Sequence, residues 1–163
     1  MTFSRRKFIR DLALFTTGAI LIPRITLANH SEIMKLTLTK DQWREKLTPQ
    51  QFYILRSEGT EPPNSSPLND EKRDGIFACA GCDLALFESN KKYESHTGWP
   101  SFFDVIEGHI ETKTDFKLLL PRTEYHCARC GGHQGHVFKD GPAPTGLRYC
   151  NNGLALVFHP AEV

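Results

Sequence analysis

The sequence lacks a charge bias. Twenty Lys and Arg stand against nineteen Asp and Glu, a formal net charge of +1. Arg5, Arg6, Lys7, Arg10 and Arg24 against Asp11 give the first 28 residues +4, which leaves −3 for the rest. A mildly acidic body without a Lys/Arg stripe has no electrostatic reason to bind nucleic acid. Long hydrophobic runs are missing too: the apolar stretch Leu12 to Ile22 falls short of the roughly 20 residues that cross a bilayer. Internal repeats are absent apart from one pair of short cysteine motifs, and no helical period is found beyond Leu84. What remains, with 39% hydrophobic and 24% charged residues in 163, fits one soluble globular domain and an extension.

The extension comes first. Ser4-Arg5-Arg6-Lys7-Phe8-Ile9-Arg10 resembles the twin-arginine export signal of bacteria, with the short apolar stretch behind it. Thr26-Leu27-Ala28 offers a small-residue cleavage site that would leave Asn29 as the mature start. The expected location is the periplasm, reached through the twin-arginine translocase. The alternative is an uncleaved anchor facing the same compartment. That route carries folded proteins, which suits a domain that needs a metal before export.

Two capping boxes follow, Thr39-Lys40-Asp41-Gln42 and Thr48-Pro49-Gln50-Gln51. They predict helices over 40–47 and 49–58, the second ended by Gly59. Trp43, Leu47, Phe52, Ile54 and Leu55 supply their apolar contacts. Residues 60–74 read as a loop by composition. Gly75 to Ala78 reads as a short strand. From Leu84 onward, short strands over 84–88, 102–106, 109–112, 116–120, 124–126, 136–138, 147–150 and 154–159 alternate with Gly, Pro and Asn turns. The fold class expected is mainly β and antiparallel, with short helices on the N-terminal side.

Four of the five cysteines form two Cys-x-x-Cys pairs, Cys79 with Cys82 and Cys127 with Cys130. Two intervening residues let both thiolates of a pair reach one ion, and four thiolates close a tetrahedral zinc site with no position left for water. The 44 residues between the pairs make this a clip between distant strands. Disulfides in an oxidising compartment and a redox-active Cys-x-x-Cys are the rivals, and spacing does not separate zinc from iron.

Cys150 stands alone. A lone cysteine is usually a small buried hydrophobe. Its neighbours point elsewhere. Arg148, two residues before, shares its face if the segment is a strand, and a guanidinium there favours the thiolate. Asn152, two residues after, can orient a substrate or a histidine. His133 and His136 are candidate proton donors. Trp99, held between Gly98 and Pro100 on a turn, can line a shallow apolar pocket.

Gly98-Trp99-Pro100-Ser101-Phe102, the two knuckles, Gly132-His133-Gln134-Gly135-His136-Val137-Phe138, the run Asp140 to Cys150 and Asn152 together resemble a methionine-R-sulfoxide reductase of the B type, over residues 36–160. The resemblance implies two twisted antiparallel sheets of the β-tent kind with one structural zinc at an end. It implies reduction of the R epimer of methionine sulfoxide in oxidised proteins or peptides, each epimer having its own enzyme. By motif, Cys150 is the nucleophile, and His133 and His136 flank the sulfoxide oxygen with His136 the first choice of proton donor. Asn152 holds the arrangement, Arg148 favours the thiolate, and Trp99 and Phe138 receive the substrate. Many members carry a resolving cysteine where this chain has Thr97. With the other four cysteines on the metal, the sulfenic acid on Cys150 is expected to be reduced by an external, thioredoxin-like or other thiol. A second departure, Gly153 where Ser is common, is expected to matter little. Nothing calls for an oligomer. The competing readings are a zinc-stabilised binding module with catalysis lost, and a single-strand nucleic-acid binder stacking bases on Trp99, Phe102 and Phe103, which the −3 body speaks against.

Overall fold

In the computed structural model, residues 33–117 and 120–162 are described. The export-signal reading of residues 1–28 therefore lies outside the described residues. Both capping boxes form. Thr39 and Thr48 accept from the backbone N–H of Gln42 and Gln51, whose side chains bond back, opening α1 (Lys40–Lys46) and α2 (Pro49–Ser57). One correction concerns the end of α2. Glu58, not Gly59, takes the left-handed conformation, at φ 53°. Its carboxylate is tied there by Lys113 and Lys117, each at 2.5 Å.

Among the described residues, nine strands build two antiparallel sheets. The smaller has the order β2 (Ala85–Glu88), β1 (Gly75–Cys79), β9 (Leu156–Pro160). The larger has the order β3 (Lys92–Tyr93), β4 (Ser101–Phe102), β8 (Arg148–Asn151), β7 (His133–Phe138), β6 (Arg122–Cys127), β5 (Ile110–Asp115). The strand expected at 109–112 runs on to Asp115 as β5, where Asp115 accepts the Lys117 N–H and turns the chain; residues 116, 117 and 120 of the strand expected at 116–120 are not in a strand, and 118–119 lie outside the described residues. The strand expected over 102–106 stops at Phe102. Residues 154–159 begin as a 3₁₀ turn, Gly153–Ala155, before β9.

The core lies where the sheets meet. Phe77 and Phe87 of the smaller sheet pack on Phe102 of the larger, at centroid distances of 5.0 and 4.0 Å, and Phe87 also meets Tyr125. All four rings are fully buried. Each contributes roughly 1.5–3 kcal/mol of hydrophobic stabilisation.

The knuckles sit at two hairpin turns, one per sheet. Cys79 and Cys82 lie at the β1–β2 turn, Cys127 and Cys130 at the β6–β7 turn. Helix α2 covers them. A methyl group placed on Gly132 would lie 3.0 Å from Leu55 and 3.2 Å from the Cys130 sulfur, and Arg56 donates to the Cys130 carbonyl at 2.9 Å.

Candidate active site

Strand β8 carries Cys150 in the middle of the larger sheet. Register places His136 of β7 opposite it on one side and Ser101 of β4 on the other. The backbones come close because Gly135 has no side chain: a methyl group there would lie 1.9 Å from the Cys150 carbonyl. Beside Cys150 opens a pocket of about 150 Å³, lined by Thr60, Trp99, Arg122, Gly135, His136, Phe138 and Asn151 to Asn152.

Sequence-proposed residues Cys150, His136, Trp99, Phe138 and Asn152 are thus brought together. His133 and Arg148 are not among the lining residues. His133 is buried beneath, its ring centroid 5.5 Å from that of His136. Arg148 makes a two-pronged ion pair with Asp140 at 2.9 and 2.8 Å and lies 4.4 Å over the Phe138 ring. Phe138 is therefore partly committed to stacking on Arg148. Asn152 orients neither histidine. Its amide oxygen accepts the Glu61 N–H at 3.0 Å and its nitrogen donates to the Gln134 carbonyl at 2.9 Å, so it fixes the loop after β8.

Each histidine has a carboxylate partner that sequence reading did not find. His136 Nε2 lies 2.8 Å from Asp115, and His133 Nδ1 lies 2.7 Å from Glu124. Asp115 is held well below the usual carboxylate range, first by the Lys117 N–H, then by His136 and Arg122. An ionised carboxylate only accepts, so His136 carries its proton on Nε2 and Nδ1 is the free nitrogen. Burial, helped by Arg122, pushes the His136 pKa down. Burial would raise Glu124, but bonds from His133 and Lys113 outweigh it and the carboxyl is lowered. His133 Nε2 is buried without a partner. The sequence held a signal for the face that carries Glu124, but none that tied Glu124 or Asp115 to a histidine. Extending the strand 124–126 back to Arg122 would have put Arg122, Glu124 and His126 on one face by the period of two.

Arg148 was expected to favour the Cys150 thiolate. Burial outweighs it: the Cys150 thiol is pushed above its ordinary value, with the Arg148 charge pulling only part of the way back.

The loop after α2, taken as a bare connection, forms a wall of the site. Glu61 is buried. Its carboxylate accepts the backbone N–H of Gly153 at 2.5 Å and Leu154 at 3.0 Å, and its carbonyl accepts Trp99 Nε1–H at 3.1 Å.

The four knuckle cysteines converge. Their sulfurs all lie within 4.8 Å of one another, with Cys79 to Cys130 at 3.6 Å and Cys82 to Cys127 at 3.4 Å. No disulfide joins any of the five cysteines. Four sulfurs around an ion at 2.3 Å stand about 3.8 Å apart, so this set fits a tetrahedral metal ion. Gln134, fully buried, donates to the Cys79 sulfur at 3.3 Å.

Residues 47–160 match the SelR domain family. The chain is 48% identical over 125 residues to a protein of Methanosarcina barkeri named peptide methionine sulfoxide reductase MsrB, covering 76% of this chain and 88% of that one. A protein of the same name from Agrobacterium fabrum is 47% identical over 127 residues, 77% of this chain and 94% of the other. One from Pseudomonas putida is 48% identical over 132 residues, 80% of this chain and 98% of the other.

Proposed function

The chain belongs to the SelR domain family, and from that premise we propose that it reduces methionine-R-sulfoxide in proteins or peptides through Cys150. Its relatives named MsrB support an oxidoreductase acting on methionine sulfoxide. One observation carries the finer reading: Cys150 faces His136 across β7 and β8 in a pocket walled by Trp99 and Phe138. The Trp99 ring lines the pocket and would receive the substrate's ε-methyl group.

The chemistry follows from the groups in place. A sulfoxide sulfur becomes electrophilic when its oxygen gains a proton. His136 Nδ1 takes the Cys150 proton and passes it to that oxygen, a role suited to a lowered pKa, while Asp115 steadies the transient imidazolium. His133, backed by Glu124, supports the same polar corner. The thiolate attacks sulfur, the hydroxyl passes to the Cys150 sulfur as the substrate's S–O bond and the new sulfur–sulfur bond break, methionine leaves and Cys150 is left as a sulfenic acid. Because the other four cysteines are gathered on one metal-sized site, an external thiol condenses with it, releasing water, and a second thiol reduces the mixed disulfide. A thioredoxin-like donor fits that task. The knuckles would hold zinc, which there supplies cross-linking and no open position for catalysis.

We read residues 1–28 as a twin-arginine signal that places the protein in the periplasm, or anchors it there. Fractionation of expressing cells, with Arg5 and Arg6 replaced by Lys in a control, tests this; a cytoplasmic wild type would refute it.

The test of the reaction is a peptide carrying both sulfoxide epimers, incubated with zinc-loaded protein and a dithiol, beside Cys150→Ser. Loss of the R epimer alone, absent in the variant, is expected. Loss of neither epimer from folded protein would leave a binding module as the surviving reading.

A further inference from the structure

Glu61 gives every one of its polar groups to the two segments that bracket the pocket. Its N–H donates to Asn152 Oδ1 at 3.0 Å, and its carboxylate oxygens accept the N–H groups of Gly153 and Leu154 at 2.5 and 3.0 Å. These residues lie just past Cys150. On the other side its carbonyl accepts the Trp99 Nε1–H at 3.1 Å. The chain beyond Glu61 continues the strap. The Asn64 N–H and the Asn69 side-chain amide donate to the Gly98 carbonyl at 2.7 and 3.1 Å. Gly98, at φ 89°, lets the two segments close up, since a methyl group there would lie 2.8 Å from Pro63 Cβ.

Packing alone does not hold this loop forward. Behind it lies a cavity of about 420 Å³, lined in part by Glu61, Pro62, Ser66, Gly153 and Leu154. The loop has room to retreat into that space, and hydrogen bonds keep it out. A carboxylate only 4% exposed is costly to bury. Here two main-chain donors meet it, and bonds to an ionised acceptor are short and strong. The fastening is therefore a stiff one.

The main chain at Trp99 and the nucleophile are held by other means. Ser101, two residues after Trp99, pairs with Cys150 in the sheet, and the Pro100 carbonyl accepts the Asn151 N–H at 2.9 Å. What these leave free is the swing of the indole on its own side-chain bonds, and the Glu61 carbonyl is the partner that fixes it. We propose that Glu61 is a positioning residue for the group carried on the sulfoxide sulfur: it holds the Trp99 ring and the neighbouring Thr60 against the pocket, and so sets how large an alkyl group the pocket takes. This rests on the reductase reading, in which Trp99 receives the methyl group.

The experiment compares the R-sulfoxides of methionine and ethionine in one peptide sequence, on the zinc-loaded chain with a dithiol. Wild type is expected to favour methionine sulfoxide in kcat/KM by about tenfold or more, the discrimination one methylene allows. Glu61→Ala frees the loop and should lose most of that preference, through a higher KM for the methionine peptide. Glu61→Gln keeps the shape and one of the two amide bonds, and should fall between. A variant that is merely less well folded loses kcat on both peptides alike, so an unchanged ratio overturns the proposal. Alkylation of Cys150 by iodoacetamide should keep its wild-type rate, because the sheet holds the sulfur; a changed rate would put the effect on the nucleophile and refute the role in positioning. A second readout needs no sulfoxide. Trp43→Phe leaves Trp99 as the one tryptophan of the chain. In that background acrylamide should quench Trp99 emission more strongly once Glu61 is Ala, and equal quenching also counts against the proposal. Should the parent protein reduce neither sulfoxide, the reductase reading falls, and quenching alone decides whether Glu61 holds the ring.

Discussion

At single residues the site is decided by what burial does to charge and space. Cys150 rests as a thiol because its buried position outweighs the pull of Arg148. The sign is direct: a raised pKa means less thiolate at pH 7 than a free cysteine has. Removing the guanidinium in Arg148→Met removes one of the groups holding the pKa back, so it should rise further. Alkylation of Cys150 at pH 8 should slow about tenfold for each unit of rise, and an unchanged rate would show that Asp140 already cancels the cation. Space decides Gly153. It was expected to substitute freely for the Ser common there, yet a methyl group at this position would lie 1.9 Å from Ser66 Oγ and 2.4 Å from its Cβ. Gly153→Ser should cost about 1–3 kcal/mol, the usual toll of overpacking, measured as denaturant midpoint. Ser66→Gly in the same chain should recover much of it despite losing the bond that Ser66 Oγ accepts from the Leu68 N–H. Equal instability of single and double variants would contradict the pairing.

At the level of elements, charged side chains fasten the end of α2 to the β5–β6 hairpin. Glu58 binds Lys113 and Lys117, and Lys113 reaches on to Glu124, the partner of His133. These bonds hold Glu58 down to about 2, from an ordinary 4.5. A carboxyl lowered on folding adds stability above its unfolded pKa and loses it as pH falls through the folded value. The gap in unfolding midpoint between wild type and Glu58→Gln should therefore be full above pH 4.5 and shrink towards pH 2. Because the groups are partly exposed, salt should narrow it too. A gap independent of pH would mean that Glu58 acts by shape alone. What was readable beforehand follows the same division of range. Capping boxes at Thr39 and Thr48 form within four residues, and cysteine spacing needs only two, so both stood in the sequence. Cys150 showed as the odd thiol. Asp115, Glu124 and Glu61 did not, because sheet register and a loop crossing bring them to the site from far along the chain.

For the molecule as a whole, the decisive feature is that each sheet gives one hairpin turn to a cluster of four cysteines that fits a metal ion. Aromatic packing of Phe77 and Phe87 on Phe102 joins the sheets at the core, and the four sulfurs join them at one end. Closing so distant a pair of turns gains more stability than closing a short loop, since the unfolded chain loses more freedom. Gln134 extends the consequence to the site. Its side chain donates to the Cys79 sulfur while its carbonyl accepts the Asn152 amide groups two residues after Cys150. Removing the metal should thus do two things. Four thiolates freed of an ion repel one another or take up protons, so the hairpin turns part and the unfolding midpoint falls. The strand bearing Cys150 loses its anchor, so kcat falls in the fraction still folded. Treating the protein with a chelator at neutral pH, then following near-ultraviolet circular dichroism and single-turnover reduction together, separates the effects. Readdition of zinc should restore both. Full turnover in a metal-free, folded chain would show that the aromatic core alone keeps the sheets in register.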